Sequence, residues 1–83
     1  QAMMMMRWRL SVKVGDLVQL SGYGATRGFN RQLTMVDTRQ TGLVIKIEKG
    51  PYPYIIKWSK TPPGPYAFPE WCHHRRELKY ASR

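Results

Sequence analysis

The chain has 83 residues, 42% hydrophobic and 12% aromatic, with Lys and Arg totalling 14 against 5 acids. That length makes one domain with a single small core, burying about 60% of the surface its unfolded form exposes, and the composition excludes wholesale disorder. A net charge of +9 points to an anionic partner, nucleic acid first and an acidic protein or membrane surface behind it, with an inert basic surface as the plain alternative.

Residues 1–11 read as a poorly ordered lead-in. Gln1-Ala2 reads as an addition ahead of a natural start at one of Met3 to Met6. The short apolar run has no small-residue cleavage site after it, so no signal peptide is expected. Nothing in the chain approaches the ~20 apolar residues of a membrane span, and a soluble, cytoplasmic protein is expected. Arg7-Trp8-Arg9 either docks one aromatic on an end of the fold or joins a base-stacking surface.

Val12–Leu20 alternates as a first strand, with Gly15-Asp16 interrupting it as a bulge or tight bend. Ser21–Gln40 is a long connection. It is either a single long loop, or a loop in which Gln32–Val36 folds back as a short strand or turn. Tyr23, Arg27, Phe29, Arg31 and Arg39 stand among or beside its glycines. Arg and aromatic side chains on such a segment suit phosphate contact and base stacking; the alternative is an ordinary loop with Phe29 packed on the core. No G-K-[ST] follows the glycines, so they make no phosphate loop of the Walker kind.

Thr41–Ser59 carries the clearest pattern. Leu43–Glu48 and Tyr54–Ser59 both alternate with period two, and Lys49-Gly50-Pro51 reverses the chain between them. The predicted element is a β-hairpin.

Val14-Gly15-Asp16-Leu17-Val18, then Gly42-Leu43-Val44-Ile45-Lys46-Ile47, then Tyr54–Trp58, resembles the small SH3-like barrels of the KOW and Tudor kind. The resemblance covers residues 12–59 and, more loosely, a final strand around Glu77–Tyr80. The chain is also similar to small uncharacterised barrel proteins of phage and marine metagenomes, whose third strand ends in Trp and whose last carries an R-E-L-K phrase. The resemblance implies an all-β fold: a five-stranded antiparallel SH3-like barrel with a long first loop, residues 12–81 forming the single domain. It also implies an aromatic groove between the long loop and the later turns.

Lys60–Glu70 holds Pro62, Pro63, Pro65 and Pro69 and is extended or turned. It reads as a stiff lid with Tyr66 and Phe68 tucked beneath, or as a proline-rich ligand for another domain. Trp71–Arg76 packs Cys72, His73 and His74 side by side. Neighbouring strand residues point to opposite faces, and four spaced ligands are wanting, so no metal or other cofactor is expected. The lone Cys72 excludes an internal disulfide and suggests a reducing compartment. Trp71 or Cys72 is expected inward, with His73, Arg75 and Arg76 on a basic face. Glu77–Tyr80 closes the fold and Ala81–Arg83 is tail.

The acids Asp16, Asp37, Glu48, Glu70 and Glu77 form no catalytic pair, so a non-catalytic role is expected. The first expectation is nucleic-acid binding, DNA or RNA with little sequence preference. Arg27, Arg31, Arg39, Lys57, Arg75 and Arg76 would meet phosphates, and Tyr23, Phe29 and Trp71 would stack on bases. The second is a protein-interaction or assembly adaptor, phage-encoded, acting as monomer or homodimer.

Overall fold

The computed structural model describes residues 11–81, so the expectations for Arg7, Trp8, Arg9, Ser82 and Arg83 lie outside the described residues. The chain forms one antiparallel sheet of five strands: β1 (Leu17–Leu20), β2 (Gly42–Ile47), β3 (Tyr54–Trp58), β4 (Glu70–His73) and β5 (Leu78–Tyr80). Their order across the sheet is β4-β3-β2-β1-β5.

The hairpin β2–β3 forms as its alternation predicts. Gly42 faces Trp58, Leu43 faces Lys57 and Val44 faces Ile56. The register then slips between Val44 and Lys46, leaving Ile45 as the extra residue of a bulge. A bulge resets which side chains point inward. Beyond it Lys46 stands opposite Ile55 and Ile47 opposite Tyr54, so Ile47, and not Lys46, shares the face of the buried Val44.

The first strand is shorter than expected. Gly15-Asp16 is no bulge within it but a turn ahead of it: Asp16 N–H donates to Lys13 O at 3.0 Å, and the Asp16 carboxylate accepts from Lys13 N at 2.8 Å. Gly15 has φ +98°, which a β-branched residue would resist. The strand proper starts at Leu17.

Ser21–Gln40 is neither one long loop nor a loop with an added strand. It holds two short helices, α1 (Gly22–Thr26) and α2 (Arg31–Val36). Ser21 caps α1, its Oγ accepting from Gly24 N at 3.0 Å, and this orphan donor at a helix start is what a serine there satisfies. α2 places a single side chain, Leu33, fully in the core.

The sheet curls but does not close, because no ladder joins β4 to β5 among the described residues. His74 and a 3-10 turn, Arg75–Glu77, link these two edge strands directly. At a rise of about 2 Å per residue such a link spans on the order of 10 Å, whereas the edges of a flat five-stranded sheet stand about 19 Å apart. The strands must therefore coil around the core. Val18, Val44, Ile56, Trp58, Trp71 and Leu78 fill the concave side, with Val12 and Leu33 closing it. No helix of the described residues is long and apolar enough to cross a membrane.

The proline-rich connection corrects a further expectation. Pro62 is fully buried, but Phe68 is exposed and not tucked under a lid; the side chain of Tyr66 lies outside the described residues.

Candidate functional site

The seam between β4 and β5 is held by a buried polar network. Trp58 Nε1–H donates to His73 Nε2 at 3.0 Å, and His73 Nδ1 meets Glu77 Oε1 at 2.8 Å. An indole nitrogen only donates, so His73 Nε2 accepts and the ring's proton sits on Nδ1, donated to Glu77. Asn30 Nδ2 donates to the same Glu77 oxygen at 2.8 Å and to Gly24 O at 3.1 Å; His74 N–H donates to Glu77 Oε2 at 3.1 Å. His73 was expected on a basic face and is fully buried instead. It alternates with exposed Cys72, so inward Trp71 puts it inward too. Its Nε2 lone pair is taken by Trp58, which leaves this histidine no atom for a proton transfer to a ligand.

Burial pushes the His73 imidazole below its ordinary value of 6.5, outweighing the pull of Glu77 upward. For Glu77, burial acts to raise the value, but hydrogen bonds from Asn30, His73 and His74 N–H together hold it below 4.5. Both shifts disfavour the proton in the folded state. Stability is then fully present above pH 6.5, declines as the unfolded histidine takes up its proton, and declines again below 4.5 as Glu77 protonates. Protonation of His73 would also set an N–H against the Trp58 N–H. Urea midpoints measured across this range should fall from pH 6.5 downward in the native chain, and the upper step should vanish in His73→Gln. A flat midpoint down to pH 4.5 would contradict the buried neutral imidazole.

Outside this network lies a groove. Its larger part, a cleft of about 450 Å³, is lined by Phe29, Tyr52, Phe68, Trp71, Glu70 and Cys72, among others. Trp71 is its buried floor, with the Phe29 ring 5.0 Å away and the Phe68 ring 6.4 Å away, centroid to centroid. Phe68 O fixes the floor by accepting from Trp71 Nε1 at 2.9 Å. Phe29, Tyr52 and Phe68 are 62%, 57% and 49% exposed. Arg27 and Tyr52 also line a smaller hollow of about 180 Å³ with Tyr23, His74 and Arg76, which makes the two continuous.

The arginine end is built by local rules. Tyr23 and Arg27 stand four apart across α1 and its end, hence on one side. Ser21 N–H donates to Glu77 O at 2.8 Å and Ser21 Oγ donates to Arg76 O, tying the helix start to the 3-10 turn. His74 caps that turn, its Nδ1 accepting from Arg76 N at 3.1 Å. The Arg76 guanidinium therefore sits 4.3 Å from the Tyr23 ring centre and that of Arg27 5.4 Å.

Of the residues singled out in the sequence, the structure brings Tyr23, Arg27, Phe29, Trp71 and Arg76 to this groove. It does not bring Arg31, Arg39 or Lys57 there. Arg31 opens α2 on the surface, Arg39 lies beyond α2 with its carbonyl accepting from Gln19, and Lys57 sits on the outer sheet face opposite Glu70. Arg75 is half-buried, with Nη1 donating to Leu78 O at 2.8 Å. Among the groove residues, Tyr52, Phe68 and His74 went unpredicted, Phe68 having been expected beneath a lid. Pro51-Tyr52-Pro53 holds an aromatic between two fixed φ angles at a hairpin tip, and that was the available signal. His74 had none, because its capping role depends on the 3-10 turn.

Comparison with protein-family models, with curated proteins and with solved structures returns no match.

Proposed function

We propose that this protein is a non-catalytic binding module for nucleic acid, related to SH3-like barrels but with an unclosed seam. The meander order and the coiling of β5 toward β4 support the relation. One observation carries the function: two guanidinium groups converge on Tyr23 at the end of a groove whose lining includes the exposed aromatic rings of Phe29, Tyr52 and Phe68. Arg27 and Arg76 meet phosphate oxygens there, and Phe29, Tyr52 and Phe68 offer faces to bases. The net charge of +9 adds a long-range attraction that raises the encounter rate.

The test is fluorescence anisotropy with a labelled single strand over a range of salt. Binding should weaken linearly in log–log form. The double variant R27A/R76A should lower the slope by about 1.4, at about 0.7 per single-strand phosphate contact. An unchanged slope would remove these two arginines from the interface.

A second reading, a protein-interaction adaptor, is favoured by the outer sheet face. Leu17 and Leu43 pair directly across β1 and β2, and both are exposed. No binding of any oligonucleotide at low salt would favour that reading.

A further inference from the structure

We infer that the cleft in the seam takes an unpaired nucleobase edge-on, with its Watson–Crick edge hydrogen-bonded to the free backbone of β4 at Glu70 and Cys72. The inference rests on the nucleic-acid reading and narrows it to single strands.

The ladder phase sets which way the β4 backbone faces. Trp58 N–H donates to Pro69 O at 3.2 Å, so Trp58 and Pro69 stand as a bonded pair. Antiparallel pairs alternate between bonded and unbonded. In the β3–β4 register, Ile56–Trp71 and Tyr54–His73 are then the bonded positions. The N–H and C=O groups of Glu70 and Cys72 point the other way, off the edge of the sheet. They have no partner among the described residues, and both residues are exposed and line the aromatic cleft.

An edge of this kind offers one acceptor and one donor side by side, Glu70 C=O and Cys72 N–H, flanking Trp71. Every nucleobase carries a neighbouring donor and acceptor on its Watson–Crick edge. Adenine and cytosine present an amino group beside a ring nitrogen; guanine and thymine present a ring N–H beside a carbonyl. A base seated edge-on to β4 satisfies both backbone groups while its faces meet Phe29 and Phe68. A cleft of about 450 Å³ lies in the range that admits a nucleoside-sized ligand. Because all the bases fit, little sequence preference follows. Because a duplex already uses that edge, duplexes are excluded.

The same edge could in principle accept a partner's β-strand. Strand addition needs a longer free row, and β4 has only Glu70 and Cys72 between Pro69 and the 3-10 turn at Arg75. Aromatic rings also bracket it, and the arginines at one end suit a phosphate.

Labelled oligothymidylate, the same strand with N3-methylthymine throughout, and its duplex with oligoadenylate separate the outcomes by anisotropy at one salt concentration. N3-methylation keeps charge and stacking face but removes the ring N–H. It should weaken binding about tenfold or more without changing the salt slope, and the duplex should bind at least as weakly. On the protein, Cys72→Pro removes the reading N–H at no cost to the β3 ladder, which an edge strand tolerates. It should reproduce the tenfold loss on plain oligothymidylate, with Cys72→Ala unchanged and both variants melting like the native chain. Equal affinity for the methylated and plain strands overturns the inference and leaves the seam to another occupant, such as an added strand, while the nucleic-acid reading stands. No binding of any strand at low salt overturns both.

Discussion

His73→Ala is expected to lose about 3–5 kcal/mol of folding free energy, the range for emptying a large core site or stranding a buried polar partner. A chain of this size has only about 4–12 kcal/mol in total. Two costs combine. The imidazole is fully buried, so its removal leaves a void between Trp58 and Trp71, the first edge-on to it at 5.5 Å and the second stacked at 6.5 Å. It also orphans the Trp58 N–H and takes from Glu77 Oε1 one of its two donors, leaving Asn30 alone on that oxygen. Trp58→Phe should cost less, about 1–3 kcal/mol, because it strands a single acceptor. Chemical denaturation followed by tryptophan fluorescence measures both. Equal midpoints for His73→Ala and the native chain would show that the network contributes nothing to stability.

Gly24→Ala should cost about 3 kcal/mol, the upper part of the overpacking range. A Cβ there would lie 2.2 Å from Glu77 O and 2.8 Å from Glu77 Cα. Those are backbone atoms in a turn already tied to Ser21, so neither side can give way by rotating a side chain. Alanine is the better helix former, and propensity alone would favour it in α1 by about 1 kcal/mol. The sign of the measured change therefore decides whether close approach or propensity governs the site. A stabilised Gly24→Ala would place α1 farther from the 3-10 turn than the geometry has it. The native outcome matters for binding as well, since this contact sets Tyr23 under Arg76.

The β2–β3 hairpin was legible because alternation and a Gly-Pro turn are local properties. The alternation in β2 was misleading beyond Val44, since a bulge is invisible until the partner strand is known. The two helices were hidden for a different reason. In α1, Gly22 and Gly24 lower helix propensity and only the Ser21 cap argues the other way, while α2 is six residues long and has no side-chain cap. The aromatic members of the site, Phe29 and Trp71, were recognisable as residue types. Which basic residues join them was not, because Arg27 and Arg76 meet across a long sequence separation while Lys57 faces outward by strand phase.

Composition and period alone determined that this is a small, basic, strand-rich domain built on one hairpin, since those features depend on neighbours in the chain. Tertiary structure decided that the sheet curls without closing, that His73 turns inward to a carboxylate and an indole, and that two arginines flank an aromatic cleft. Each of these depends on contacts between segments distant in the chain, where burial, register and the length of one short connection outweigh local preference.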